Sequence, residues 1–187
     1  MKKDIKKGEK IVAELLEWIG VPQTDSTKET PKRVSKMYLE IFESLHTKPP
    51  RIKTFQEGDP YSYVCISNNH FFSSCEHHLL PFFGRCGVVY VVNDSGTIIG
   101  LSKIPRIINY FSKKPQLQER LNKEIAEYIM KVLKPIGVYV VMSAVHSCVS
   151  IRGIKARGSI TNTAVMLGDI DKDEAIRLLQ IDKFFGD

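Results

Sequence analysis

The sequence has few of the features that place a protein in a membrane or outside the cell. Its apolar runs are far shorter than the roughly 20 residues that a helix needs to cross a bilayer. The basic N-terminus is followed by an amphipathic pattern, not by the apolar stretch and cleavage site of a signal peptide. The four cysteines are poor evidence for disulfides in a cytosolic chain of 187 residues. These absences favour a cytoplasmic protein.

Internal repeats, low-complexity segments and nucleic-acid-binding motifs are also missing. With 43% hydrophobic and 26% charged residues, a chain of this length can form one globular core. The net charge of +6 fits an anionic partner such as nucleic acid, an acidic surface or a phosphorylated small molecule. A lysine-rich solvated surface explains the charge equally well, so charge alone does not identify a partner.

The order of periodic segments predicts an α+β fold. Helical patterns at 11–19 and 30–45 precede a linker-like passage, and we expect an N-terminal helical segment (1–50) and a second domain (51–187). Thr30 is the predicted N-cap of the second helix. The two apolar stripes expected to be buried comprise Ile11, Val12, Leu15, Leu16 and Ile19, then Val34, Met37, Tyr38, Ile41, Phe42 and Leu45. In the second domain we expect two strands around an Asn93–Gly96 turn, helices near 102–111 and 115–133, two further strands and a short last helix.

The stretch FFSSCEHHLLPFFG is the strongest chemical signal. Cys75 and His78 have a spacing that lets both bind one ion from a tight turn. Far along the chain, His146 and Cys148 are two residues apart on a predicted strand and therefore share a face. Thiolate and imidazole ligands together favour zinc. By contrast, Cys65 and Cys86 are expected to be small buried apolar residues, and His46 and His70 surface residues.

Two arrangements of this metal site remain open. In the closed one, Cys75, His78, His146 and Cys148 form a structural tetrahedron. In the other, three ligands leave a position for water, whose pKa the metal lowers. The spacing favours the open site, because one intervening residue is unusual for a structural zinc knuckle. The open site also leaves His77 and His146 available for proton transfer.

Basic and polar residues lie on both sides of the metal motif in the sequence. Ser102, Lys103 and Arg106 stand at the start of a predicted helix, where backbone N–H groups attract anions. Arg152 follows Cys148 closely, and further upstream Arg33 and Lys36 share a helical face. Each alone is an ordinary exposed charge, but together with a metal site they suggest phosphate binding.

A carboxylate also stands at the start of the long predicted helix, where Glu119 follows Gln118. A carboxylate pairs well with two adjacent N–H donors, such as the N1–H and 2-amino groups of guanine. A solvated glutamate stabilised by the helix dipole explains the same pattern, and the residues alone favour that simpler explanation.

Four segments, CEHHLLPFFG, GLSKIPRI, PQLQERL and HSCVSIRG, closely resemble the GTP cyclohydrolase I family in order and spacing. The resemblance runs from residue 30 to residue 168. It implies a tunnelling fold, an antiparallel sheet with helices on one face after an N-terminal helical segment. It also implies a toroidal homodecamer of two pentamers with active sites at subunit interfaces, and no nucleic-acid or membrane partner.

The resemblance further implies a hydrolase of tetrahydrofolate and pterin biosynthesis that binds GTP and Zn²⁺. Such an enzyme opens the guanine imidazole ring, releases formate and forms 7,8-dihydroneopterin triphosphate. The implied metal ligands are Cys75, His78 and Cys148. The implied catalytic residues are His77, His146, Ser102 and Gln118, and the implied substrate-binding residues are Glu119, Lys103, Arg106, Arg152, Arg33 and Lys36.

Overall fold

The computed structural model describes residues 4–180 as a mixed α+β protein. Between the second and third helices the chain forms two long strands and two short ones, and a short 3₁₀ turn at Glu43–Leu45 ends the helical part. In chain order the elements are α1 (Ile5–Trp18), α2 (Thr30–Ile41), β1 (Thr54–Gln56), β2 (Tyr63–Cys75), β3 (Pro81–Val91), β4 (Thr97–Ile99), α3 (Lys103–Ser112), β5 (Pro115–Gln116), α4 (Gln118–Leu133), β6 (Gly137–His146), α5 (Ser147–Ser150), β7 (Thr161–Gly168) and α6 (Lys172–Leu179).

The main sheet has five strands in the order β5-β2-β3-β6-β7, antiparallel except for the β2–β5 pair. The predicted turn at Asn93–Gly96 does separate two strands, but β3 and β4 do not pair with each other as the strands of a hairpin would, because β4 pairs with β1. The reason is that β3 already has a partner on each side along its length. Val91, for example, lies opposite both Tyr63 of β2 and Gly137 of β6.

Both faces of the central strands are apolar. Val88 and Tyr90 of β3 belong to the large core under α3 and α4, whereas Val89 and Val91 belong to a smaller core with α6. The expectation of helices on one face therefore needs correction. Successive strand residues point to opposite faces, so a strand that is apolar at every position needs cover on both.

The N-terminal hairpin, α1 with α2, is far less buried. Of its two predicted stripes only Val12 is buried within the described chain, and Leu15 is 45% exposed. Glu29, not Thr30, occupies the cap position of α2, and no side chain caps that helix. The division of the chain at residue 50 stays a prediction. Between residues 4 and 180, no helix combines the length and hydropathy needed to cross a membrane.

Candidate active site

Several predicted site residues meet at one end of the main sheet. Strand β2 ends at Cys75 and β6 ends at His146. The short strand β5 pairs Gln116 with Cys75, which places the first residues of α4 at the same end. The sheet register thus brings together residues that are far apart in sequence.

A tight turn between β2 and β3 presents the metal motif. The N–H of Cys75 donates to the carbonyl of Leu80 at 2.8 Å, and the N–H of Leu79 donates to the carbonyl of Cys75 at 2.8 Å. Leu79 takes the left-handed conformation, with φ of 55°. Cys75 is buried in this turn, while His77 and His78 are exposed. The local turn is therefore enough to direct the three side chains to one place.

The Cys75, His77 and His78 side chains form a group that could hold a metal ion, with their ligand atoms all within 4.8 Å of one another. Cys75 Sγ lies 3.8 Å from His77 Nδ1 and 3.7 Å from His78 Nδ1. In a tetrahedral zinc site with Zn–S of about 2.3 Å and Zn–N of about 2.05 Å, sulfur and nitrogen are about 3.6 Å apart. The donor set and its spacing fit such an ion.

Cys148 reaches this group from a different element than predicted. The expectation that it lies on a strand with His146 is wrong, because the chain turns into the short helix α5 at Ser147. Hydrogen bonds back to the strand end stabilise that turn, including Ser150 Oγ to the carbonyl of His146 at 3.1 Å.

The Cys148 thiol nevertheless lies near Cys75. Burial raises the pKa of Cys148, and the neighbouring Cys75 thiol raises it further. The compact metal-binding group contains His77 but not Cys148. The proximity of the two thiols supports Cys148 as a ligand beside Cys75. The distances between donor atoms are equally compatible with His77 as a ligand.

His146 is engaged away from the metal-binding group. Its ring stacks on Phe82 with centroids 4.6 Å apart and an interplanar angle of 3°. Its Nε2 lies 2.8 Å from Gln118 Oε1. Burial lowers the pKa of His146, and the charge of Glu119 opposes that shift. This geometry favours the open metal site over the four-ligand one.

Sequence reasoning missed the partners of Glu76, the acidic residue inside the metal motif. Arg120 donates to its carboxylate, and this hydrogen bond lowers the pKa of Glu76. Arg120 Nε also donates to Gln116 Oε1 at 2.9 Å, and Gln116 in turn donates to Glu124 at 2.7 Å. The network ties the turn to the start of α4. Opposite charges in the CEHH and PQLQER motifs were the only sequence signal of it.

The predicted phosphate-binding residues are spread over the surface. Arg152 Nη1 lies 2.7 Å from His78 Nε2, beside the metal-binding group. Ser102 precedes α3, Lys103 begins it and Arg106 is exposed one turn later. Arg33 and Lys36 are exposed on α2. Within residues 4–180, no side-chain hydrogen bond or ion pair joins the α2 and α3 residues to the metal-binding group.

The remaining cysteines and histidines largely follow expectation. Cys86 is fully buried and burial raises its pKa, while Cys65 is half-buried. His46 and His70 are exposed.

Comparison with known proteins agrees with the sequence motifs. A family model described as GTP cyclohydrolase I matches residues 8–183, well beyond the span of the motifs. GTP cyclohydrolase 1 of Caldanaerobacter subterraneus subsp. tengcongensis is 46% identical over 176 residues, covering 93% of each chain. That of Desulforamulus reducens is 45% identical over 177 residues, covering 93% of this chain and 94% of the relative.

Among solved structures, the apo form of the archaeosine synthase QueF-Like matches 60% of this chain and 99% of its own. Its TM-score is 0.47 at 14% identity. The family match and the close relatives each span almost the whole sequence, and the chain therefore belongs to the GTP cyclohydrolase I family of enzymes.

Proposed function

We propose that the chain is a zinc enzyme that opens the guanine imidazole ring of GTP and releases formate. The rearranged product closes to 7,8-dihydroneopterin triphosphate, a step of tetrahydrofolate and pterin biosynthesis. The observation that carries the proposal is the metal-binding group of Cys75, His77 and His78, together with the imidazole of His146 that Phe82 and Gln118 hold in place, in a chain of this family.

Cys75, His78 and Cys148 are the proposed zinc ligands. Two thiolates and one imidazole are a donor set that zinc accepts, and the apposition of the Cys75 and Cys148 thiols supports the third ligand. Bound zinc supplies Lewis acidity, which allows water to lose a proton near neutral pH. His77 then remains free for proton transfer.

His146 is the proposed proton donor to N7 of the purine. Carbon 8 of guanine is a poor electrophile until N7 carries a proton. The stack on Phe82 and the hydrogen bond with Gln118 hold the imidazole in one orientation, as proton transfer in a defined geometry requires. His77, with Ser102, serves the proton transfers on the ribose side.

Glu119 is the proposed guanine anchor. Its carboxylate is exposed in the first turn of α4 and close enough to His146 for its charge to oppose the lowering of the His146 pKa. A guanine held there by its N1–H and 2-amino groups would lie beside the imidazole. Binding at a remote edge of the base would thus orient the reacting ring.

Five basic residues are proposed to bind the triphosphate: Arg152, Lys103, Arg106, Arg33 and Lys36. Their wide spread supports a site completed by a neighbouring subunit.

The proposed assembly is a toroidal homodecamer of tunnelling-fold subunits that acts in the cytoplasm. Exposed apolar side chains support assembly, among them Trp18 at 82% exposure and the stacked pair Phe72 and Phe83. Strand β7 also lies at the end of the described sheet order, where another strand could pair.

The direct test is incubation of the zinc-loaded protein with GTP. We expect stoichiometric formate and, after oxidation, the fluorescence of neopterin. Guanosine is the matched control, because it keeps the reacting ring but lacks the phosphates. No formate from GTP, or equal turnover of guanosine, would contradict a triphosphate-anchored cyclohydrolase.

A mixing experiment tests the shared site. Cys148→Ala and Arg106→Ala variants, each inactive alone, are unfolded together and reassembled. If the two residues of one site come from neighbouring subunits, random mixing restores about a quarter of the sites. Each variant reassembled alone is the control. No recovery in a confirmed mixed oligomer would place both residues of a site on one chain.

A further inference from the structure

Gln118 is buried at the start of α4, with 1% of its surface exposed. Its Nε2 lies 3.3 Å from the carbonyl oxygen of Met142 and 2.9 Å from that of Thr161. Carbonyl oxygens only accept hydrogen bonds, so the end of the amide that faces them must be the NH₂ group. The network therefore assigns the orientation of this amide without ambiguity between its oxygen and nitrogen.

That orientation determines which nitrogen of His146 carries a proton. The atom of Gln118 facing the imidazole is the carbonyl oxygen Oε1, 2.8 Å from Nε2. An amide oxygen accepts but cannot donate, so Nε2 must donate. Neutral His146 then has its hydrogen on Nε2 and a lone pair on Nδ1. The parallel stack on Phe82, which is fully buried, prevents the ring from turning to exchange the two nitrogens.

We propose that Gln118 is a positioning residue that selects the Nε2–H tautomer of His146, that Nδ1 is the nitrogen that exchanges a proton with the substrate, and that Thr163 holds Gln118 in place. The inference rests on the proposed function for the identity of that substrate. In the transfer the Nδ1–H bond of the imidazolium breaks, its electron pair returns to Nδ1, and purine N7 uses its lone pair to form the new N–H bond. The Nε2–H···Oε1 hydrogen bond persists throughout.

Thr163 of β7 supports Gln118 from the side opposite His146. Its Oγ1 lies 3.1 Å from Gln118 Nε2 and 3.2 Å from Nδ2 of Asn122. Asn122 is fully buried, and its Oδ1 is the one buried side-chain polar atom without a partner in the part of the chain described. The hydroxyl of Thr163 therefore accepts from both buried amides and holds the NH₂ end of Gln118.

Two substitutions of Thr163 separate positioning from packing. Thr163→Val keeps the shape of the side chain and removes the hydroxyl, whereas Thr163→Ser keeps the hydroxyl. Thr163 contacts neither the substrate nor the metal in the proposed site. We expect Thr163→Val to lower kcat for GTP about 3- to 10-fold, the range that loss of one hydrogen bond gives, with KM unchanged. Thr163→Ser should restore wild-type kcat.

The tautomer itself is read by ¹⁵N NMR of the zinc-loaded enzyme labelled in its five histidines. Spectra are recorded on sedimented protein at about pH 8.5, roughly two units above the ordinary histidine pKa. The His146 signals are identified by their loss in His146→Asn. We expect Nε2–H in the wild type and in Thr163→Ser, and a mixture of tautomers in Thr163→Val and Gln118→Met.

The outcomes are distinguishable. An Nδ1–H tautomer in a wild-type enzyme that releases formate from GTP overturns this inference and leaves the proposed function intact. The expected tautomers without formate release overturn the proposed function instead. A wild-type tautomer in both Thr163→Val and Gln118→Met shows that the network does not select it. In Gln118→Met we expect a larger loss of kcat than in Thr163→Val, because the substitution removes the acceptor of the Nε2–H hydrogen bond itself.

Discussion

Helices α4 and α1 carry the same kind of apolar stripe but differ in burial. In α4, Leu121, Ile125 and Ile129 are fully buried against the main sheet. In α1, Ile11 is 55% and Leu15 is 45% exposed, and the neighbouring Trp18 is more exposed still. Periodicity identifies the face of a helix that avoids water, but not the molecule that covers it. For α4 the cover belongs to the same chain, while for α1 residues 4–180 bury only Val12 of the stripe.

The candidate site shows the same contrast. Its metal and proton-transfer groups meet within one chain, because β2, β6 and the start of α4 converge at one sheet end. The proposed phosphate-binding residues on α2 and α3 are exposed and make no side-chain hydrogen bond or ion pair with that end in the described structure. Substitution of the proposed metal ligands is therefore expected to weaken metal binding in any assembly state. Substitution of the proposed phosphate-binding residues on α2 and α3 is expected to weaken substrate binding only in the oligomer.

The largest expected effect comes from the proposed metal site, whose ligands all belong to one chain. Cys148→Ala should lose bound zinc and all measurable formate release while the protein stays assembled, because two ligands remain where three are needed. Metal analysis and size measurement on the same sample check this. Cys65→Ala, which removes a half-buried thiol outside the metal-binding group, is the control. A metal-replete, active Cys148→Ala protein would refute the ligand assignment.

His146→Ala comes next. It should keep its zinc and lose turnover by roughly 10²–10⁴-fold, the usual contribution of a general acid or base. Formate release per bound zinc is the measurement. His70→Ala removes an exposed histidine of β2 and should be silent. Loss of metal from His146→Ala would instead support the closed four-ligand site.

A smaller effect is expected where Arg120 ties the metal-binding turn to α4. Arg120→Gln should weaken zinc binding roughly 10- to 100-fold, as loss of groups that orient metal ligands generally does. Activity should return at high zinc concentration. Competition with a chromogenic chelator gives the affinity, and Lys123→Gln, an exposed charge on the same helix, is the control. Unchanged zinc affinity would mean that the turn holds its shape without α4.

Two substitutions test the comparison of α4 with α1, and Leu15→Ala has the smallest expected effect on the stability of a single chain. Ile129→Ala should lower the free energy of unfolding by about 2–5 kcal/mol, because it leaves a cavity in a closed core. Leu15→Ala should change the stability of the isolated subunit by less than about 0.5 kcal/mol, as expected for an exposed site. It should instead raise the protein concentration at which the oligomer dissociates. Urea titration measures the free energy of unfolding, and sedimentation measures the dissociation of the oligomer. A loss of stability in Leu15→Ala that does not depend on protein concentration would show that Leu15 is covered by its own chain.

Features that depend on local spacing could be predicted from the sequence, whereas features that depend on long-range pairing could not. The order of the long helices and strands and the convergence of Cys75 with His78 depend on local spacing, and both agree with the structure, whereas the short β1, β5 and α5 were not predicted. The partner of β4 and the face covered by α6 depend on long-range pairing, which periodicity does not encode. The element carrying Cys148 was missed because the apolar pattern continues through His146 into a turn closed by backbone and serine hydrogen bonds.

The residues that position the site were the hardest to foresee. Phe82 belongs to an apolar run that predicts only burial, and its stack on His146 results from the register of β3 against β6. Thr163 has no sequence signal at all, because one hydroxyl on a strand has many possible partners. Motifs thus identified groups capable of chemistry, while the groups that orient them became visible only in three dimensions.

The turn that joins β2 to β3 also bears on how a metal ion could be acquired during synthesis. Cys75, His77 and His78 are neighbours in one hairpin, so their donor atoms can come together before most of the C-terminal half has left the ribosome. Cys148 follows α4 and β6 in the chain, so it is synthesised later and must be brought to Cys75 by a long-range contact. We expect a peptide spanning residues 61–100 to bind zinc weakly through that hairpin, and titration of the peptide with the ion would show whether capture can begin on the nascent chain.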